Sequence, residues 1–313
     1  MEVLLSNEVE AMFSKQLRQW EMPQKNYAQL TNLLSRQIEL NGLTALLQFN
    51  TERIRSAAAK TDRKSLKERS CFLCEGNRPP EQEKINYKDR YDILINPFPI
   101  FRRHLTIASR KHIPQLIDRR FEDMADLAAA LQDYVIFYNG AKCGASAPDH
   151  MHFQAGNKGL IPLEVSFGKL SSLKKEIYTE HGAVLYELNS SSFRCLIIES
   201  ADRDSLSSLF YKVKKVAASL KSDEEEPMMN LLCWFDHDHW VAVIFLRRAH
   251  RPRQFFAEDE TNILISPASV EMGGLFVLPL EKDFNKIRKE DLEDILNQTL
   301  VTTEELNTVI QQL

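Results

Sequence analysis

Apolar residues recur at helical spacing over residues 7–40, for example at Leu30, Leu33, Leu34 and Ile38. This spacing predicts helices on the outside of a domain, ended by Asn41-Gly42. Residues 46–50 follow as a short strand candidate. Residues 91–95 and 104–108 are apolar runs of strand length, joined by Asn96-Pro97-Phe98-Pro99, whose prolines cannot sit inside a central ladder. Apolar positions at Phe121, Met124, Leu127, Ala128, Leu131, Val135 and Tyr138 match one face of a helix, with Gly140 as its stop. The predicted order is thus strand, strand, long helix, loop and then a strand rich in histidine.

A polar link over residues 169–180 divides the chain into residues 1–168 and 169–313. A similar order then begins again: strands at 183–188 and 195–199, a helix at 205–220, an acidic loop at 222–227, and strands at 230–235 and 240–246. Asp236-His237-Asp238-His239 falls near the place of the histidine-rich stretch in the first unit. Element order, rather than sequence identity, makes this a diverged second copy. The tail offers a strand at 275–278 and two closing helices, the last capped by Thr303 or Thr302 ahead of Glu304 and Glu305. Consecutive antiparallel strands with helices laid across them predict an α+β fold.

With 313 residues, 43% hydrophobic and 27% charged, the chain has the composition of a globular protein. A formal net charge of -4 argues against bulk nucleic acid as the main partner and for a small one. No apolar run approaches the ~20 residues of a membrane span, and the N-terminus lacks the pattern of a signal peptide. A cytoplasmic location without a membrane partner is therefore expected. Five cysteines, of which only Cys71 and Cys74 are close, make a disulfide framework improbable. A cationic run, Arg53, Arg55, Lys60, Arg63, Lys64, Lys67 and Arg69, is read as a solvated loop in preference to a phosphate-gathering arm.

The chemistry concentrates in Gly144-Ala145-Ser146-Ala147-Pro148-Asp149-His150-Met151-His152-Phe153-Gln154. In an extended strand the period of two puts His150, His152 and Gln154 on one face. A neutral imidazole is a good nucleophile towards phosphorus. His152 is the candidate, with its second ring nitrogen held by an acceptor such as a backbone carbonyl. Gln154 can donate to a phosphate oxygen without adding charge. Asn139 and Ser146 offer further polar contacts, and so does the cluster Arg247, Arg248, His250, Arg251 and Arg253. Cys71-x-x-Cys74 is half of a tetrahedral zinc site. His112 and His150 are the best candidates for the other half and His104 the alternative, while a redox pair or two buried thiols are the competing readings.

These residues resemble the histidine-triad superfamily, in its nucleotidyltransferase branch with Gln at the last position. That branch holds galactose-1-phosphate uridylyltransferase, dinucleoside tetraphosphate phosphorylase and the GDP-hexose phosphorylases. The resemblance is specific from Cys71 to Gln154, with Asp149 as an extra residue before the first histidine. It implies two α+β halves, antiparallel sheets with helices packed on them, that form an intramolecular pseudo-dimer. It also implies His152 as nucleophile with Gln154, Asn139 and Ser146 as phosphate contacts, and structural zinc on Cys71, Cys74, His112 and His150. The expected partners are a nucleotide or nucleotide-sugar substrate and a phosphate or sugar-phosphate acceptor, taken up by a monomer or homodimer.

Overall fold

The computed structural model describes residues 2–54, 63–190, 192–220 and 225–313. Two helices, α1 (Glu2–Gln19) and α2 (Glu21–Gln29), precede strands β1 (Ser35–Leu40) and β2 (Leu43–Phe49); a short helix, α3, covers Arg63–Glu68. Next come β3 (Lys84–Tyr87), β4 (Tyr91–Ile95), β5 (His104–Ser109), helix α4 (Phe121–Ala130), β6 (Tyr134–Asn139) and β7 (His152–Asn157). The second unit runs β8 (Lys174–Glu180), β9 (Ala183–Asn189), β10 (Arg194–Ser200), α5 (Arg203–Ala217), β11 (Met229–Asp236) and β12 (His239–Leu246). The tail adds β13 (Leu275–Leu278), α6 (Lys289–Thr299) and α7 (Thr303–Ile310).

Ten strands form one sheet in the order β3-β4-β5-β7-β6-β11-β12-β10-β9-β8. Its neighbours are antiparallel throughout. The order reads the same from either edge: each strand of the first unit has a counterpart at the mirrored place in the second. The seam is β6 against β11, from Asn139↔Asn230 to Ile136↔Cys233. This is an α+β pseudo-dimer within one chain. A small second sheet, β1-β2-β13, joins the two ends of the sequence, with β13 parallel to β2.

Both faces of the large sheet are covered. Tyr134, Ile136 and Tyr138 of β6 and Phe153 of β7 belong to the core beneath α4 and α5, where the rings of Phe121 and Phe210 stack at 3.8 Å. Val135 and Phe137 belong to the opposite core, shared with β2, β13 and α6. Double coverage explains the main difference from the sequence reading. The helix begun at Phe121 ends at Ala130, and Val135 and Tyr138 lie in a strand. A strand buried on both faces is an uninterrupted apolar run, and its residues can coincide with helical spacing by chance.

Two other stretches differ. Ile38 lies in β1, whose residues alternate in burial rather than repeating every third or fourth. Residues 174–180, read as part of a polar link, form the edge strand β8, where charged side chains are tolerated and discourage further pairing. Asp202 caps α5 by accepting from the Ser205 amide at 2.8 Å. Thr302, not Thr303, caps α7, its Oγ1 accepting from the Glu305 amide at 3.1 Å while its own amide donates to Glu305 Oε2. Residues 55 and 60 of the cationic run and 222–224 of the acidic loop lie outside the described residues. Among those described, no helix is long and apolar enough to cross a membrane.

Candidate active site

Because Phe153 and Ala155 face the α4 side, the intervening His152 and Gln154 face the other. There they line a cavity of about 680 Å³ together with Asn139, Ser146, Thr106 and Phe137. Ser266, Ala268, Ser269 and Val277, from the distant tail, close another side. Gly144 makes this approach possible. Its φ is +92°, and a Cβ there would meet the Ala268 Cβ at 2.7 Å, so a side chain is excluded by both backbone conformation and space.

His152 is 4% exposed. Its Nδ1 donates to the His150 carbonyl at 2.8 Å, which leaves Nε2 as the unprotonated nitrogen. Burial depresses the imidazole to about pKa 4, against the opposing effect of that carbonyl. The ring is therefore neutral near pH 7. Gln154 is held by a second histidine. The Ile100 amide donates to His104 Nδ1 at 3.2 Å, so His104 Nε2 carries the proton and donates to Gln154 Oε1 at 3.0 Å. Burial keeps His104 uncharged, with a pKa of about 3. With Oε1 engaged, the NH₂ end of Gln154 is the end available to an anion.

Asn139 is arranged likewise. Its Oδ1 accepts from Asn230 Nδ2 and from the Ser269 amide, each at 2.9 Å. Its NH₂ has no protein partner among the described residues. Arg247 stands behind this wall rather than in it. All five guanidinium donors are used, on Asn230 Oδ1 and on the carbonyls of Thr299, Pro267, Ala249 and His250. The Arg248 amide donates to the Thr299 carbonyl, and neither arginine lines the cavity.

The cavity's cations come from the run that the sequence suggested was a solvated loop: Arg53 and Arg69 both line it. Arg53 Nη1 donates to the Phe98 carbonyl at 3.3 Å, and burial lowers its pKa while the charge of Glu271 opposes this. Glu271, also in the wall, is pushed up by burial although the Ala268 amide donates to its Oε2. Sequence alone offered no signal for Glu271, which lies over 100 residues from the motif.

Cys71, Cys74, His112 and His150 meet beside this cavity, their ligand atoms all within 4.8 Å of one another. Cys71 Sγ lies 3.3 Å from His150 Nδ1, and Cys74 Sγ lies 3.2 Å from His112 Nδ1 and 3.5 Å from His150 Nδ1. Ligand–ligand edges of ~3.5 Å are what tetrahedral zinc with two sulfurs and two nitrogens requires. His150 Nε2 donates to the Ser109 carbonyl at 2.7 Å, so its Nδ1 lone pair turns to the cluster. The donor set suits a metal. Asp149, next to the cluster, accepts from Arg69 at 2.7 Å and lies 3.7 Å from His112 Nε2.

Two sequence families match the chain: a domain of unknown function, DUF4922, over residues 12–157 and the GDPGP1-like C-terminal domain over residues 169–313. No curated protein matches it in sequence. Among solved structures, yeast Ap4A phosphorylase Apa2 in complex with AMP is 17% identical, with a TM-score of 0.60. That alignment covers 91% of this chain and 96% of Apa2. The same enzyme in complex with Ap4A is 15% identical over 90% and 96%, with a TM-score of 0.59. At such identities the likeness is one of fold. The fold is an α+β one built as two halves in tandem, and the motif resembles that of the histidine-triad superfamily. Residues 169–313 match the GDPGP1-like C-terminal domain, and the chain as a whole shares the fold of Apa2.

Proposed function

We propose that the chain is a nucleotidyltransferase that works through a nucleotidyl-histidine on His152, with phosphorolysis of a nucleoside diphosphate sugar or dinucleoside polyphosphate as its reaction. The observation that carries this is the state of His152: a neutral ring whose Nδ1 is committed to the His150 carbonyl, with Nε2 left to attack. His152 Nε2 bonds to the α-phosphorus as the P–O bond to the leaving phosphate breaks, the electron pair going to that oxygen. An oxygen of inorganic phosphate then attacks the same phosphorus, the P–N bond breaks and Nε2 recovers its lone pair. The ring is cationic while it carries the nucleotide, and the His150 carbonyl stabilises it by accepting from Nδ1.

Gln154, Asn139 and Ser146 serve as neutral contacts to the phosphate oxygens, and Arg53 and Arg69 as the cations of the cavity. Yeast Apa2, whose fold this chain shares, binds AMP and Ap4A, which supports a nucleotide here. Zinc would be held by Cys71, Cys74, His112 and His150, where it ties the Cys71 loop to the strand that carries His152. In this reading residues 1–168 carry the chemistry, and residues 169–313 complete the sheet and one cavity wall. A sugar 1-phosphate as second acceptor would make the enzyme a hexose-1-phosphate uridylyltransferase, with the same first step.

The test is covalent labelling. Nucleoside diphosphate sugars and dinucleoside polyphosphates labelled at the α-phosphorus should leave acid-labile, base-stable label on the wild-type chain. Adding phosphate should discharge it as nucleoside diphosphate. A wild-type chain that takes no label from any of them sinks the covalent route.

A further inference from the structure

The ladder between β6 and β7 runs from Tyr134↔Asn157 to Phe137↔Gln154 and stops. Continued in register, the next hydrogen-bonded pair would be Asn139 and His152. The Ser109 amide donates to the Met151 carbonyl on the β5 side, so the backbone groups of His152 point to β6. The Gly140 amide donates to the Met229 carbonyl on the β11 side, so the backbone groups of Asn139 point to β7.

A side chain occupies the gap. Gln115 is fully buried. Its Oε1 accepts from the His152 amide at 2.7 Å, and its Nε2 donates to the His152 carbonyl at 3.0 Å and to the Asn139 carbonyl at 2.9 Å. Three of the four backbone groups that the missing pair would exchange are thus satisfied by one carboxamide. An amide inserted in this way holds two backbones further apart than the ~4.8 Å of a ladder. Its own position is fixed, since the Gln115 amide donates to the Pro148 carbonyl and the Tyr138 hydroxyl lies 3.2 Å from the Gln115 carbonyl.

From this geometry we infer that Gln115 is the positioning residue of the site: a wedge that opens β6 from β7 so that Asn139 and His152, side by side on the cavity face, admit a phosphate between them. The inference rests on the reading of His152 as nucleophile and adds what sets its distance from Asn139. Hydrophobic packing cannot substitute for the wedge, because an apolar side chain in the gap would leave three buried backbone groups without partners.

Two variants test it. Gln115→Leu removes all three bonds; AMP affinity should fall about tenfold and the labelling rate of His152 about 100-fold, the cost of a misplaced reacting group. Gln115→Glu separates positioning from folding. Ionised, the carboxylate still accepts from the His152 amide but confronts two carbonyl oxygens. Protonated, it regains a donor. Burial and those carbonyls raise its pKa, so its rate relative to wild type should be low at about pH 8.5 and recover towards about pH 5.5. Other groups near this frame are the Tyr138 hydroxyl, the Glu226 carboxylate bonded to it, Lys214 at 4.0 Å from Glu226, and His152. All are present in wild type, so the ratio cancels their titration.

A Gln115→Leu chain that binds AMP and takes label within about twofold of wild type overturns the wedge, as does a Gln115→Glu ratio that is flat with pH. If Gln115→Leu does not fold, the Gln115→Glu profile decides. Absence of label in wild type would remove the histidine reading instead. The wedge would then be judged by AMP affinity, which both variants should still weaken at about pH 8.5.

Discussion

The two strand pairs flanking the pseudo-twofold seam begin alike and end differently. β11 and β12 stay paired from Met229↔Leu246 to Asp236↔His239 and close through a tight turn at His237 and Asp238. β6 and β7 part after Phe137↔Gln154, with a twelve-residue connection and the Gln115 carboxamide in the gap. Each second strand nevertheless opens on the second histidine of a His-x-His. His239 Nδ1 donates to the His237 carbonyl at 2.9 Å, just as His152 Nδ1 donates to the His150 carbonyl at 2.8 Å. The tautomer is therefore a local product of His-x-His entering a strand. What the first half adds is the opening, the cavity and the cysteine-histidine cluster, and only there is the second histidine buried.

The largest expected break of this contrast is His152→Ala, which should lower labelling by ~10³-fold or more while zinc content stays at wild-type level. The pH profile sharpens it. The attacking form is the neutral ring, so the single-turnover rate of wild type should not respond to His152 over the neutral range. It should fall as pH drops through the pKa of about 4, because protonation removes the lone pair. A midpoint near 6.5 would mean that the ring is solvated in the working protein and that burial does not set its state.

Gln154→Leu comes next. It keeps the volume of the side chain but removes the amide that His104 aims at the cavity, and a loss of ~10²-fold in labelling rate is expected. His104→Phe should cost less, because Gln154 itself remains and only its orientation is freed. A larger loss for His104→Phe than for Gln154→Leu would contradict this order.

Cys71→Ser combined with Cys74→Ser should abolish metal binding, from about one zinc per chain in wild type. It should also slow labelling by ~10-fold or more, because His150 holds His152 through its carbonyl. Elemental analysis and thermal unfolding read the two effects separately. The second half has no comparable cluster among the described residues. Zinc-free wild type with full thermal stability and activity would retire the metal. Gly144→Ala should destabilise by ~1–3 kcal/mol through its left-handed backbone and the 2.7 Å approach to Ala268, measured by chemical unfolding.

How much of this was legible follows from distance in sequence and from burial. The inner strands β4 and β5, the strands β9 to β12, the histidine strand and the four cluster residues stand out because each rests on a short pattern: an apolar run, period two, Cys-x-x-Cys, a small-residue turn. β6 was hidden because Val135 and Tyr138 sit in a strand buried on both faces, where alternation vanishes. Gln115 gave one faint signal, a polar residue among Ile113, Pro114, Leu116 and Ile117, and its meaning depends on strands that pair only in the folded chain. Arg53 and Glu271 lie 218 residues apart, and no local pattern marks either as lining one cavity. The arginines beyond β12 stood out as a cluster, yet Arg247 spends its donors on backbone carbonyls and Asn230.

The smallest expected effect is the most discriminating for the comparison. His239 shares with His152 the motif spacing, the place at the head of a strand and the carbonyl that fixes its tautomer, but it is exposed at the end of a closed hairpin. If tautomer and spacing made the nucleophile, a His152→Ala chain would still take label on His239, and His239→Ala would lower labelling in an otherwise native chain. If the opened strand pair and its cavity make it, His239→Ala changes the labelling rate by no more than about twofold, within the range of ordinary surface substitutions. Peptide mapping of the labelled protein decides the matter. Label on the peptide containing His239 would show that the second half is catalytic, and label confined to the peptide containing His152 would leave it as the closed counterpart that completes the sheet.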